Sequence, residues 1–295
     1  MSVIVNDKSL VAQRIQITGA DHPKFEVLLS VPGRWEEMTT LWDKKIPFDA
    51  EDHQNISRFI CESGITDLYV PNPGQFNGEV LLPEIFARDG EERLHHAKGV
   101  TRLWGRTCFA DGCLLPNSES GDMTRAGGCP MLVACREEVL ACTHAGFYSL
   151  IDRGYIATNR TIGRRWPSVI DSLLFALGAK TPKQRQAVHL WVFYSIRPED
   201  FFHSLEDKVY RRHNEILQLY FEECRYTCFY MKGPRMHFNL PQLAREQALS
   251  RGLLDSNIHL DRAFLPEHYP TTRRGKGNYL VAVKRFDNMS NTRHK

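Results

Sequence analysis

Residues 127–146 carry the pattern that most constrains this chain. Two apolar runs, Met131-Leu132-Val133-Ala134 and Val139-Leu140-Ala141, flank a polar middle, Cys135-Arg136-Glu137-Glu138. Strand-like runs of this length around a polar turn predict a β-hairpin. Strand side chains alternate between faces, so the register decides which residues meet. A turn centred on Arg136 and Glu137 sets Cys129 opposite His144. Directly opposed residues have Cβ atoms about 4.5–5.5 Å apart and share a face. At that separation a thiol and an imidazole can act as nucleophile and base, or share a metal ion. Gly127-Gly128 before the cysteine and Gly146 after the histidine suit strand ends that backbone or ligand approaches closely.

The pair by itself admits three readings. Cys129 and His144 can be a nucleophile and its base, two of three ligands of a catalytic zinc, or two buried structural residues. A third partner would come from His95 or His96, or from His189, His203, His237 or His268. Neighbouring histidines on a strand face opposite sides, so at most one of His95 and His96 points inward. Spacing leaves the choice open.

Composition narrows the function classes. At 295 residues the chain is long enough for one large domain or two small ones. A net charge of +3 with only short basic clusters, Arg211-Arg212 and Arg273-Arg274, argues against nucleic acid. No apolar run approaches the roughly 18 residues of a membrane span. The first residues lack the basic start and apolar stretch of a secretory signal, so a cytoplasmic protein is expected. Eight cysteines without a Cys-x-x-Cys pair make neither a disulfide framework nor a zinc ribbon. Most of them, Cys142 included, read as reduced core thiols.

Helix patterns run from Ala50 to Ser63, from Ser168 to Leu177 and from Asn239 onward, stopped by Gly64, Gly178 and Gly252. Strands are expected around Phe25–Val31, Gly99–Leu103, Gly112–Leu115, Val188–Ile196 and Tyr279–Val283. Pro198 to Cys224 reads as a long charged helical segment, whole or broken, and Tyr69 to Gly90 as a loop excursion rich in Pro, Gly and Asn. No repeat and no linker appears, which predicts one mixed α/β domain over residues 1–286 and a polar tail over 287–295.

Four stretches together resemble the YfiH family, also called the laccase-domain or polyphenol oxidase family. They are Leu94-His95-His96-Ala97, Ala110-Asp111-Gly112-Cys113-Leu114, Gly127-Gly128-Cys129-Pro130-Met131-Leu132 and His144-Ala145-Gly146-Phe147-Tyr148-Ser149. They follow the order of the family's Gln-Val-His-Gly, Ala-Asp-Ala-Leu, Ala-Asp-Cys-x-Pro-Val-Leu and His-Ala-Gly-Trp-Arg-Gly. Later, Tyr194-Ser195-Ile196-Arg197-Pro198 and Tyr269 to Asn278 stand where the family has a Gly-Pro-like turn and an Arg-Arg loop. The resemblance spans roughly His53 to Val283.

It implies an α/β (mixed α+β) fold, a four-layer α-β-β-α sandwich with antiparallel hairpins. It implies that His96, Cys129 and His144 bind zinc, with copper the alternative, and form the catalytic trio. The implied activity is phosphorolysis or deamination of purine nucleosides, with Arg273 and Arg274 holding phosphate, Tyr148 stacking on the base and Asp111 supporting a histidine. The implied partners are thus a nucleoside and phosphate, with no nucleic acid and no membrane; nothing indicates an oligomeric state. The departures are Gly128 for the family's Asp, Cys129-Pro130 for Cys-x-Pro, Phe147-Tyr148 for Trp-Arg, Leu94 and Ala97 around the first histidine, Asn278 for Arg, and an insertion from Arg153 to about Arg165. Two other readings stand beside the zinc enzyme. One is a metal-free cysteine hydrolase or amidase, of the kind that edits peptidoglycan precursors, with Cys129 as nucleophile and His144 as base. The other is a binding protein that keeps the trio as a relic.

Overall fold

The strand that ends the described chain shows how the layers are built. In Tyr279–Phe286 every residue up to Val283 is buried, because alternate side chains enter two different cores. Tyr279, Val281 and Val283 face one way, into a layer between two sheets. Leu280 and Ala282 face the other way, against a helix. A computed structural model describes residues 9–19, 22–33, 54–72, 78–152, 168–267, 269, 271 and 277–286.

In chain order the elements begin β1 (Val11–Ile17), β2 (Lys24–Ser30), α1 (Gln54–Ser63), β3 (Asp67–Tyr69), β4 (Val80–Leu81), α2 (Pro83–Ala87), β5 (Glu91–His96) and β6 (Gly99–Trp104). There follow β7 (Gly112–Leu115), β8 (Ser120–Ala126), β9 (Met131–Arg136), β10 (Val139–His144), α3 (Phe147–Leu150), α4 (Val169–Ala176), α5 (Pro182–Gln186) and β11 (His189–Phe193). The last are β12 (Phe202–Ser204), α6 (Arg211–Glu223), β13 (Phe229–Lys232), β14 (Arg235–Phe238), α7 (Leu240–Ser250), β15 (Ile258–His259) and β16 (Tyr279–Phe286).

The strands form a seven-stranded sheet, β1-β2-β16-β8-β3-β6-β5, a six-stranded sheet, β15-β11-β9-β10-β7-β4, and a small β12-β14-β13 sheet. Most neighbours are antiparallel; β3 runs parallel to β6 and β8, β4 to β7, and β11 to β15. The fold is therefore mixed α+β. The two large sheets pack face to face over Phe25, Met131, Val133, Phe193 and Val281. Helix α1 covers the outer face of the seven-stranded sheet with Ile56, Phe59 and Ile60. Their i, i+3, i+4 spacing makes one apolar stripe, and Gly64 at φ 67° ends the helix. On the far side of the six-stranded sheet lie α3, α4, α6 and α7, around a ring cluster of Phe147, Phe221 and Phe238.

Local chemistry explains the helix starts. Asp171 accepts from the backbone N–H of Ser168 at 2.9 Å, and Asn239 accepts from Gln242 N–H at 3.1 Å.

Three expectations change. The segment 198–224 is broken, and its first part is not helical: Phe202–Ser204 forms a strand, and the helix starts only at Arg211. Phe202 pairs with His237 there, a long-range contact that outweighs local helix propensity. The excursion from Tyr69 to Gly90 contains β4 and α2, the latter begun by Pro83 at its first position. The hairpin register is also shifted by two residues. Arg136 pairs with Val139, so His144 lies opposite Met131 and Cys142 opposite Val133. The turn is Glu137-Glu138, with Glu137 at φ 53°, while Arg136 stays in the strand and donates to Gly178 O at 2.6 Å. The shift sets Met131, not Cys129, opposite His144, and Cys129 falls outside the ladder, before β9 begins.

Candidate active site

Cys129 lies in the link that leads into β9, not in the strand. Gly128, at φ 130°, bends that link, and its carbonyl accepts from Ile196 N–H at 2.7 Å. A Cβ at Gly128 would lie 3.1 Å from Ile196 Cβ, in a backbone region that side chains rarely adopt. The glycine that replaces the resembled family's aspartate is thus required by this backbone. Past Pro130, whose carbonyl accepts from Ala145 N–H at 2.8 Å, the link runs beside the end of β10. That brings the Cys129 sulfur within hydrogen-bonding reach of the His144 ring.

Asp111, the residue before β7, approaches His144. Its carbonyl accepts from His144 N–H at 2.8 Å, and its Oδ1 lies 3.8 Å from His144 Nδ1. Its other oxygen accepts from Gly78 N–H at 2.6 Å. Gly112 permits this approach, since a Cβ there would meet Cys142 O at 2.1 Å. Asp111 and His144 are both buried, and Cys129 is half-buried. Burial by itself pushes the His144 ring towards neutrality. The Asp111 carboxylate and the Cys129 sulfur outweigh it and raise the pKa to about 10.

Tyr279, on β16, completes the surroundings. Its hydroxyl donates to Tyr194 O at 3.0 Å, and burial, followed by the nearby Cys129, pushes it well above the usual tyrosine range. Sequence reading had no means of finding it, because β16 belongs to the other sheet.

The remaining candidates are placed as follows. His96 ends β5, at the edge of the seven-stranded sheet. Its Nε2 hydrogen-bonds Thr101 Oγ1 at 3.0 Å, and its Nδ1 accepts from Lys98 N–H at 3.3 Å. It does not form a ligand cluster with Cys129 and His144. Two of the three ligands that a zinc ion would need are together and the third is not, so the trio does not fit the ion. Tyr148 hydrogen-bonds His213 Nε2 on α6 at 3.0 Å. Phe147 is buried in the ring cluster, stacked with Phe221 at 6.1 Å between centroids. Arg273 and Arg274 lie outside the described residues.

A second cluster sits on the same face of β10, two residues earlier. Cys113, Asp122 and Cys142 bring their ligand atoms within 4.8 Å of one another, all buried, and can hold a metal ion. Burial pushes Asp122 up to about 7 and Cys113 up to about 11. The sequence signal for Asp122 was an acid in Ser120–Ala126, a strand whose other residues are buried or nearly so, and that strand was not foreseen.

No family sequence model matches the chain, and a search of curated proteins gave no match. Solved structures do match over nearly the whole chain. A Neisseria meningitidis protein assigned to DUF152 superposes with a TM-score of 0.55 at 13% identity, over 93% of this chain and 99% of that one. The fold is that of the YfiH proteins. Bacillus licheniformis YfiH matches with a TM-score of 0.55 at 10% identity over 91% of this chain and 98% of its own. YlmD from Geobacillus stearothermophilus gives 0.55 at 10%, covering 93% and 100%. In this chain the hairpin β9–β10 belongs to the six-stranded sheet, and His144 is the last residue of β10. No described helix is long and apolar enough to cross a membrane.

Proposed function

We propose that the chain is a cysteine-dependent hydrolase of small amides, with Cys129 as nucleophile, His144 as its proton partner and Asp111 orienting the imidazole. The observation that carries this reading is the His144 imidazole with the Asp111 carboxylate 3.8 Å from its Nδ1 and the Cys129 sulfur within reach of the same ring. A nucleophile, a base and a group that orients the base are what acyl transfer needs. The Cys129 sulfur attacks the amide carbonyl, the C–N bond breaks, and the imidazolium gives its proton to the departing amine. Water, deprotonated by the ring, then releases the acid and regenerates the thiol.

A second reading is the zinc-dependent purine nucleoside phosphorylase or deaminase implied by the family resemblance. The YfiH fold and the Cys129–His144 pair support it. It needs a third ligand other than His96 as placed, and phosphate anchors such as Arg273 and Arg274.

Alkylation separates the two. On the metal-free chain, iodoacetamide at neutral pH, followed by peptide mass mapping, should modify Cys129 faster than the exposed Cys224. A panel of small amides should be hydrolysed without added metal or phosphate. Slow labelling of Cys129, together with phosphate-dependent release of hypoxanthine from inosine, would replace the first reading with the second.

A further inference from the structure

Three side chains from three strands meet between the sheets, below the site just described. Cys113 on β7 and Cys142 on β10 are direct cross-strand partners in the six-stranded sheet. Asp122 comes from β8 in the other sheet. Each is 0% exposed, and Cys142 Sγ lies 3.4 Å from Asp122 Oδ2. Asp122 Oδ1 is buried with no hydrogen-bond partner. A buried carboxylate oxygen left unsatisfied is rare in native proteins and calls for an ion or a water molecule. Two thiols facing it narrow the choice to an ion.

We propose that Cys113, Asp122 and Cys142 bind a zinc ion that ties the two sheets together. Sulfur excludes magnesium and calcium, which take oxygen ligands, and the carboxylate disfavours copper(I), which prefers sulfur; borderline zinc accepts both. Binding replaces the two thiol protons, which leave to solvent, and forms two Zn–S bonds and one Zn–O bond. Cys129 is not a ligand of this ion. The ion holds β10 two residues before His144, so its role towards the site above is to position that strand end.

The test is elemental analysis of the full-length chain from zinc-supplemented cells, beside Cys129→Ala, Asp122→Asn and Cys142→Ser. About one zinc per chain is expected in the wild type and in Cys129→Ala, and less than about a tenth of that in the other two. Because a core variant can fail to fold, the wild type is also stripped and reloaded with cobalt(II). A thiolate-to-cobalt absorption band, and a higher melting temperature on adding zinc to the stripped chain, are expected. Three outcomes overturn the proposal: a wild type that takes up neither metal, zinc lost from Cys129→Ala but kept in Cys142→Ser, or a mass two hydrogens low from a Cys113–Cys142 disulfide. The first and third outcomes leave Cys129 alkylation untouched, so there the two proposals fail separately, whereas the second would move the zinc to Cys129 and also favour the zinc-dependent reading of the active site.

Discussion

Asp122 and Asp171 lie on opposite sides of the six-stranded sheet, and their surroundings differ. Between the sheets, Asp122 is sealed in with two thiols, and one of its oxygens has no hydrogen-bond partner. Behind the sheet, Asp171 accepts from Arg251 Nε and Nη2, both at 3.0 Å, and from Ser168. The helical layer packs Phe221, Phe238 and Leu243 in its interior and holds Asp171 at its rim, paired with Arg251. The inter-sheet layer carries thiols and acids within the core. An acid at the rim that is paired with an arginine explains itself as architecture, whereas a buried, unsatisfied one beside metal-ligating or nucleophilic groups points to chemistry.

The largest expected effect separates chemistry from architecture. Cys129→Ala should lower amide hydrolysis by at least about 10³-fold, the scale on which nucleophile removal is felt, while the denaturation midpoint stays near wild type. Steady-state rates and urea melts on one preparation check this, and a large loss of stability would assign Cys129 to the core instead. Next, Phe221→Ala should cost about 3–5 kcal/mol, as large-to-small changes in a packed aromatic core do. The rate of Cys129 alkylation at low denaturant should not change, and a change would join the two layers. Replacing Asp111 by Asn should slow alkylation roughly 10–100-fold, as loss of an orienting partner does, and a wild-type rate would remove Asp111 from the site.

The smallest effect concerns pH. Burial by itself raises the Asp171 carboxyl, but Arg251 and Ser168 outweigh it and hold the group below its ordinary value. A depressed carboxylate contributes stability that is present above the unfolded pKa of about 3.9 and is lost as pH falls through the folded value. The pair is partly exposed, so its worth is about 1 kcal/mol or less. Urea midpoints at pH 5 and pH 3 should therefore fall slightly less in Asp171→Asn than in wild type. An identical fall would mean that this latch contributes nothing measurable.

Much of the scaffold was legible along the chain. The stripe of Ile56, Phe59 and Ile60 before Gly64 marked α1, and Gly112–Leu115 was read with its observed bounds. These signals are local, since periodicity and stop residues act within a few positions. The hairpin was foreseen and its register was not. Arg136 looked like a turn residue, but it bonds Gly178 O, which is distant in sequence, and so remains in the strand. Phe202–Ser204 was missed for the same kind of reason, because its partner His237 is far along the chain.

The sequence by itself determined the residue types at the site, the hairpin that carries His144, and the glycines that let strands approach. Those follow from alternation and from backbone sterics, which are short-range. Tertiary structure alone decided the partners. It set Asp111 behind His144, left His96 at a sheet edge with Thr101 and Lys98, and brought Asp122 from one sheet against Cys113 and Cys142 of the other. Packing two sheets face to face joins residues by distance in space, and no spacing along one strand encodes which residue arrives from the other sheet.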